Sequence, residues 1–329
     1  MAYFDLPLGA GPGQSPVLSN HVSFITPGFS SVRERVLRPG ATDVQDTCGL
    51  HLPPGGYREL DIEHDGAASA LWCYMRPYGP PSFTPSLLGE LISLRRALAN
   101  HMAGQAPGAG LRYFIGASRL KGIYNLGGDL GYFVNAIRTQ NRDRLLAYAV
   151  DCCDVAYHMA VGFETPVVTI GLVQGDALGG GFEGALSFQI LVAEKKARMG
   201  LPEVLFNLFP GMGAYSLLAR KIGMAKAERM ILSGKVYSAT ELYELGVVDM
   251  LAEDGQGEAE VRKLIAGGAA KYRLYNALTR AKRCVEPVTF EELQKITEIW
   301  VDTAMQLEDS DLRKMERLAI AQRRRLEKS

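Results

Sequence analysis

The segment that most constrains the fold is residues 166–186, where an apolar stretch leads into three consecutive glycines. Residues 166–173 (PVVTIGLV) are rich in β-branched side chains, which is typical of a buried strand. Gly179, Gly180 and Gly181 follow where a helix would begin. The first N–H groups of a helix have no partner within it, and glycines let a substrate approach them closely. The segment therefore predicts an anion or oxyanion site at a strand–helix turn, although a plain turn or a phosphate loop would have the same glycines.

A second glycine turn, Leu126-Gly127-Gly128-Asp129, precedes another helical stretch. Asp129 suits the N-terminal capping position of that helix, and we prefer this capping role to a catalytic one. The backbone N–H of Gly128 would then be free at the start of the helix. Together with the N–H of Gly180 it would form a complete oxyanion hole for a thioester carbonyl.

Two isolated glutamates lie close to these turns in the sequence. Glu183 follows Gly180 by three residues, so the two share one face of a helix. Glu203 stands in an otherwise apolar stretch up to Pro210. Apolar surroundings raise carboxyl pKa values, which suits proton transfer near neutral pH. We interpret Glu183 and Glu203 as an acid/base pair; the alternatives are a structural glutamate within the core and a helix-start glutamate, respectively.

Alternating and apolar patterns divide the chain into short elements. Two strands, over 57–64 and 67–75, are expected to form a hairpin about Asp65-Gly66. The other expected elements are a helix over 86–102, strands over 111–117, 166–173 and 188–193, helical stretches over 130–163, and a nearly all-helical chain from 214 to a charged helix over 310–328. Strand–turn–helix units followed by helices indicate an α/β core.

The chain has three predicted parts. Residues 1–56 contain eight Gly and seven Pro and form an N-terminal extension that resists regular structure. Residues 57–250 form the α/β core, and residues 251–329 form a helical C-terminal region. In that region we interpret Arg323, Arg324 and Arg325 as a solvated helix end.

Composition excludes several classes of protein. Lys plus Arg and Asp plus Glu both number 36, so nucleic acid is not the expected main partner, although a local basic patch for a phosphorylated carrier stays open. The five cysteines show no C-x-x-C spacing, which argues against a disulfide framework or a cysteine zinc site. Reduced thiols suggest a cytoplasmic protein. We expect no metal, no other cofactor and no membrane-spanning segment.

Taken together, these motifs resemble the enoyl-CoA hydratase/isomerase (crotonase) superfamily, over roughly residues 57–250. The matching runs are L-G-G-D at 126–129, P-V-V-T-I-G-L-V-Q-G-D-A-L-G-G-G-F-E at 166–183, G-L-P-E at 200–203, F-P-G-M-G-A-Y-S-L-L-A-R at 209–220 and L-G-V-V-D at 245–249. The resemblance implies a spiral of ββα units with a helical C-terminal region that trimerises. By position, it implies Gly128 and Gly180 as the oxyanion-hole donors, and Glu183 and Glu203 as the two acid/base glutamates.

Two departures from ordinary hydratases are similar to the bacterial diffusible signal factor (DSF) synthases. They are the Y-N-L-G-G-D turn at 124–129 and Tyr215-Ser216 after the second glutamate. That branch implies dehydration of a 3-hydroxyacyl chain on acyl carrier protein (ACP) to a cis-2-enoyl chain, then thioester cleavage to a free fatty-acid signal. It also implies a regulatory contact with a sensor protein, while the resemblance to the superfamily as a whole implies a homotrimer or dimer of trimers. The extension over 1–56 fits neither branch.

Three functional hypotheses follow, with DSF synthase first. The second is an ordinary enoyl-CoA hydratase on an acyl-CoA thioester, and the third is a binding protein of this fold with little catalysis. No G-x-S-x-G elbow is present, and we interpret Cys152-Cys153 as packing rather than as a nucleophile. The candidate acyl-pocket residues, each of which would otherwise be plain core, are Leu178, Gly179, Phe182, Leu208, Met212 and Trp300. The resemblance favours Trp300, because C-terminal helices of this superfamily often close the pocket.

Overall fold

A computed structural model describes residues 49–103, 105 and 110–326 of the protein. The predicted extension therefore lies outside the described residues as far as residue 48. Within the described residues the strands are β1 Leu60–Asp65, β2 Ala70–Met75, β3 Tyr113–Ser118, β4 Ile123–Asn125, β5 Val168–Val173, β6 Asp176–Leu178, β7 Ile190–Glu194, β8 Arg198–Gly200, β9 Val236–Ser238 and β10 Met250–Ala252. The helices are α1 Pro85–Ala103, α2 Leu130–Arg138, α3 Arg142–Ala160, α4 Gly180–Leu186, α5 Ala214–Ile222, α6 Met224–Ser233, α7 Ala239–Glu244, α8 Gly257–Ile265, α9 Gly268–Val285, α10 Phe290–Ala304 and α11 Asp309–Leu326, with 3₁₀ helices over Gly162–Glu164 and Pro202–Phe206.

The larger sheet has six strands in the order β1-β2-β3-β5-β7-β10. Strands β1 and β2 form the predicted antiparallel hairpin, and every other neighbouring pair in this sheet is parallel. Trp72, Ile115 and Ile170 are fully buried on it. Parallel strands covered on both faces read as continuous apolar runs, which is why β3 and β5 could be recognised from sequence.

The smaller sheet has the order β4-β6-β8-β9. Each of β4, β6 and β8 follows a strand of the larger sheet and precedes a helix, so three ββα turns wind between the two sheets. Strands β4, β6 and β8 are parallel neighbours, so their carboxyl ends lie at one edge. This arrangement confirms the predicted α/β, crotonase-like ββα spiral.

The strands of the smaller sheet were not predicted. They are three residues long, too short for an alternating pattern to stand out. The stretch from 214 onward, expected to be nearly all helical, is also corrected: β9 and, from the larger sheet, β10 interrupt it. Both pair with distant strands, so tertiary contacts rather than local preference make them strands.

The last two helices fold back onto the α/β part of the same chain. Helix α10 packs against α3, and α11 packs against α2 and the 3₁₀ helix over Pro202–Phe206. Trp300 of α10 and Met315 of α11 are buried in the cluster that these helices share. Among the described helices, none combines the length and apolarity that crossing a membrane would require.

Candidate active site

The carboxyl ends of β4, β6 and β8 carry the three sequence motifs. The L-G-G-D turn follows β4, the three glycines follow β6, and Glu203 follows β8. Because the three strands are parallel neighbours, the turns lie side by side. Gly179 N–H donates to the Gly200 carbonyl at 2.8 Å, which joins the turn after β6 to the end of β8.

Hydrogen bonds on both sides fix the turn after β4. Phe83 N–H donates to the Gly127 carbonyl and Gly127 N–H donates to Oδ1 of Asn125, both at 2.8 Å. Asp129 accepts the Tyr132 N–H at 3.0 Å and is the N-terminal cap of α2, as predicted. Among the described residues, none accepts a hydrogen bond from the N–H of Gly128.

The two glycine turns approach each other more closely than side chains would allow. A Cβ built on Gly180 would stand 3.2 Å from the backbone nitrogen of Gly128, and one on Gly181 would stand 2.0 Å from the Asn125 carbonyl oxygen. The Gly180 N–H begins α4 and has no acceptor within the described chain. Gly128 and Gly180 therefore place two free N–H donors next to each other, as an oxyanion hole requires.

Glu183 lies on α4 with only 3% of its surface exposed. Its Oε1 accepts the Met212 N–H at 2.8 Å and the Ala214 N–H at 3.0 Å. Burial raises the pKa of Glu183 to about 7, although the two N–H donors act in the opposite direction by stabilising the carboxylate. A carboxyl that titrates near neutral pH can exchange protons in both directions there.

Glu203 lies at the start of the 3₁₀ helix over Pro202–Phe206 and is also buried. Its Oε2 has no hydrogen-bond partner within the described residues. Burial, and next the nearby charge of Glu183, raise the pKa of Glu203 well above its usual range. Of the two carboxyls, Glu203 therefore holds a proton more strongly, and Glu183 more readily carries the negative charge.

Both glutamates, together with Gly128 and Gly180, line a cavity of about 160 Å³. Most predicted site residues line it: Gly128, Leu178, Gly179, Gly180, Glu183, Glu203, Leu208, Met212 and Trp300. Phe182 does not. Its side chain is fully buried in a core cluster that includes Phe114 and Val173 of the larger sheet, whereas Glu183 lines the cavity. We therefore correct the expectation that Phe182 contacts substrate.

Helix α11 supplies cavity residues that the sequence analysis missed. Leu318, Gln322 and Arg325 line the cavity, and Gln322 Nε2 donates to the Leu126 carbonyl at 2.8 Å. Arg325 forms an ion pair with Asp176 at the start of β6, so it is not simply part of a solvated helix end. The sequence carried no signal for this, because 149 residues separate the two partners.

The described residues hold no group of three or more His, Cys, Asp or Glu side chains arranged to bind a metal ion. Cys73, Cys152 and Cys153 are free and buried, whereas Cys284 is free and exposed. Cys48 lies outside the described residues. The sulfur of Cys153 lies 2.9 Å from the hydroxyl oxygen of Thr297.

Comparison with known proteins finds a family model and several sequences that are similar to this chain. A family model described as "Enoyl-CoA hydratase/isomerase" matches residues 145–325. Methylglutaconyl-CoA hydratase, mitochondrial, from Rattus norvegicus is 33% identical over 220 residues, which are 63% of this chain and 62% of that protein. A probable enoyl-CoA hydratase from Bacillus subtilis (strain 168) is 39% identical over 110 residues, 33% of this chain and 41% of that protein. The chain thus spans about 62% of the rat relative's length.

Solved structures share the fold. Enoyl-CoA hydratase from Bacillus halodurans superposes with a TM-score of 0.65 at 20% identity, covering 79% of this chain and all of that one. Pseudomonas aeruginosa DspI has a TM-score of 0.58 at 20% identity, covering 74% of this chain and 86% of that one. At this identity the likeness concerns the fold alone.

Proposed function

Since the chain belongs to the enoyl-CoA hydratase/isomerase family, we propose that it adds water to, or removes water from, the C2–C3 bond of an acyl thioester. The observation that carries the proposal is the pairing of two buried glutamates with two free N–H donors in one cavity. Glu183 accepts a backbone N–H, whereas Oε2 of Glu203 has no hydrogen-bond partner within the described residues. We therefore expect one of the two carboxyls to be charged while the other holds a proton. No cofactor is required for this chemistry.

The thioester carbonyl binds between the N–H groups of Gly128 and Gly180. As C2 gains or loses a proton, negative charge develops on the carbonyl oxygen, and donors fixed in advance stabilise it. By comparison with acyl transfer, each donor contributes about 3–4 kcal/mol to the transition state. The apolar walls of the cavity, which include Leu208 and Trp300, hold the acyl chain.

The pair of glutamates holds one proton at the start of hydration. Glu183, whose charged form accepts two backbone N–H groups, takes a proton from the water whose oxygen bonds to C3. Glu203, which holds its proton more strongly, gives it to C2. Dehydration runs the same steps in reverse: Glu203 takes the C2 proton and Glu183 protonates the departing hydroxyl.

A narrower proposal is that the protein is a DSF synthase, with 3-hydroxyacyl-ACP as substrate and a free cis-2-unsaturated acid as product. Its support is the sequence resemblance at residues 124–129 and at Tyr215-Ser216. Thioester cleavage would use a water activated by one of the same glutamates. The alternative is an enoyl-CoA hydratase that leaves the thioester intact.

Assembly is also part of the proposal. We expect a homotrimer or a dimer of trimers in the cytoplasm, and the DSF synthase proposal adds a contact with a sensor protein. Helix α9 supports an interface between copies, because Leu274, Leu278 and Val285 are exposed on it. Exposed apolar side chains at this spacing on one helix are typical of a surface that another chain covers.

The test incubates the protein separately with a 3-hydroxyacyl-ACP and a trans-2-enoyl-CoA, and identifies products by mass spectrometry. Glu183→Gln and Glu203→Gln should each abolish turnover. Glu194→Gln is the matched control, because Glu194 is also buried but lies outside the cavity and pairs with Gly257 N–H and Lys196.

Free cis-2-unsaturated acid would support the DSF synthase. Reversible hydration without free acid would support the hydratase. Absence of turnover with either substrate would contradict catalysis and favour a binding protein.

A further inference from the structure

The loop over 210–213 connects the cavity to the C-terminal helices. Within it, the peptide unit between Gly211 and Met212 is hydrogen-bonded on both sides. Its N–H, on Met212, donates to Oε1 of Glu183 at 2.8 Å. Its carbonyl, on Gly211, accepts the hydroxyl of Thr297 at 2.7 Å. One peptide group thus links a buried side chain of α10 to the carboxylate of Glu183.

Thr297 is itself held in place from another helix. It is fully buried on α10, and Cys153 of α3 lies 2.9 Å from its hydroxyl oxygen. The Cys153 thiol also lies 4.0 Å from the Leu293 carbonyl oxygen, so the directed row of hydrogen bonds begins at the Thr297 hydroxyl, which donates to Gly211. Two groups in a row, the Thr297 hydroxyl and the Gly211–Met212 peptide unit, therefore point their hydrogens toward Glu183.

Trp300 holds the same peptide unit by packing. It lies three residues after Thr297, so both side chains leave α10 on one face. A Cβ built on Gly211 would stand 2.2 Å from the ring atom Cγ of Trp300, so the ring lies directly on the Gly211 α-carbon. Only glycine fits there, and the loop cannot move toward α10.

We propose that Thr297 is a positioning residue for Glu183: its hydroxyl fixes and polarises the Gly211–Met212 peptide unit, whose N–H holds the Glu183 carboxylate. Hydrogen bonds in a row strengthen one another in a buried setting. Without the hydroxyl, the Gly211 carbonyl would be buried without its partner and the Met212 N–H would be a weaker donor. The inference rests on the proposed role of Glu183 as the group that accepts a proton from water.

Other titratable or charged groups near Glu183 also influence its titration, so their contribution must be distinguished from that of Thr297. They are Glu203 on the 3₁₀ helix, Tyr148, Cys152 and Cys153 on α3, and Arg325 on α11. Burial raises the pKa values of the tyrosine and of both thiols, so these three groups stay neutral near pH 7. Glu203 is the one whose titration could be confused with that of Glu183, and it is removed by working in a Glu203→Gln background.

The experiment compares Thr297→Val, which keeps the shape but loses the hydroxyl, with Thr297→Ser, which restores it. The titration of Glu183 is followed by ¹³C NMR of carboxyl-labelled glutamate in the Glu203→Gln background, assigned by its loss in Glu183→Gln. Thr297→Val should raise the midpoint of Glu183 by about half a unit to one unit, the effect of one hydrogen bond. Thr297→Ser should return it to the original value.

With Glu203 present, kcat/KM against pH gives the second measurement. Its acid limb should move to higher pH in Thr297→Val, with a loss of about three- to tenfold at pH 6, and Thr297→Ser should restore it. Thr303→Val is the control, because the Thr303 hydroxyl donates to the Ile299 carbonyl on the exposed side of α10. An unchanged midpoint in Thr297→Val, or no recovery with serine, would overturn the proposal. If the wild type shows no turnover, the proposed function fails but the NMR titration still decides the role of Thr297.

Discussion

The carboxylate of Glu203 lies directly over the α-carbon of Gly179. A Cβ built on Gly179 would stand only 2.5 Å from Oε1 of Glu203. Gly179 also has a φ of +53°, in a region that side-chain-bearing residues rarely adopt. The first of the three glycines therefore leaves space for the second glutamate, while the N–H of the next one has no acceptor within the described residues. This contact joins the three-glycine motif to the motif that contains Glu203, although Gly179 and Glu203 are 24 residues apart in the sequence.

We predict that Gly179→Ala lowers kcat at least tenfold by pushing the Glu203 carboxyl away from C2. The added methyl group cannot occupy the space of Oε1, and a displacement of about 1 Å can cost about a hundredfold in rate. Steady-state kinetics with the enoyl thioester that proves best would measure the loss.

Gly223→Ala is the control for backbone strain in that experiment. Gly223 also has a positive φ, +80°, but nothing lies within 4 Å of its Cβ position. Both variants should lose about 1–3 kcal/mol of unfolding free energy, whereas only Gly179→Ala should lose activity. Equal activity losses would show that strain, and not the contact with Glu203, is responsible.

We predict that the free energy of unfolding falls as pH rises from about 4.5 to 7, because of Glu183. Its pKa is raised from 4.5 to about 7 in the folded protein. Between these values the folded chain keeps a proton that the unfolded chain has lost, so rising pH favours unfolding. The full effect is about 3 kcal/mol.

Urea unfolding of the wild type and of Glu183→Gln at pH 5, 6, 7 and 8 measures this dependence. Glutamine stays neutral and can still accept the N–H groups of Met212 and Ala214. The variant should therefore gain stability relative to the wild type toward pH 8, and the difference should shrink toward pH 5. Parallel curves for the two proteins would contradict the raised pKa.

We predict that the double variant Gln322→Ala/Arg325→Ala raises KM about two- to tenfold, since two contacts that hold α11 over the cavity are lost. Gln322 donates to the Leu126 carbonyl next to the Gly127-Gly128 turn, and Arg325 pairs with Asp176. Hydrogen exchange of the α11 amides should become faster in the same variant.

Arg313→Ala serves as the control for charge removal on α11. Arg313 is exposed and forms no ion pair within the described part of the chain. It should leave both KM and amide exchange as in the wild type. If Arg313→Ala raised KM equally, general loss of positive charge would explain the result instead of release of the helix.

Local patterns were sufficient for five of the six strands of the larger sheet, all but β10, and for the composition of the site. The apolar run of β5, the glycines after β6 and the isolated Glu183 and Glu203 are legible because each departs from its surroundings over a few residues. Asp129 likewise occupies its predicted capping position, since an N-cap depends only on neighbours three residues away.

Phe182 and Arg325 show where local patterns fail. Phe182 adjoins Glu183 in sequence, but adjacent residues on a helix point in different directions, so one entered the core and the other the cavity. Arg325 looks like a solvated helix end until α11 folds back and brings it to Asp176.

The sequence by itself determined which chemical groups make up the site: glycines that expose backbone N–H groups, and two carboxyls in apolar segments. The tertiary structure decided how the carboxyls differ. Glu183 gains two N–H donors from residues 212 and 214, while Oε2 of Glu203 gains none within the described chain. Thr297, more than 80 residues beyond that loop, became part of the site in the same way. Hydrogen bonds between distant segments form only when the chain packs, and they set the charge of each group because burial removes the water that would otherwise make the two alike.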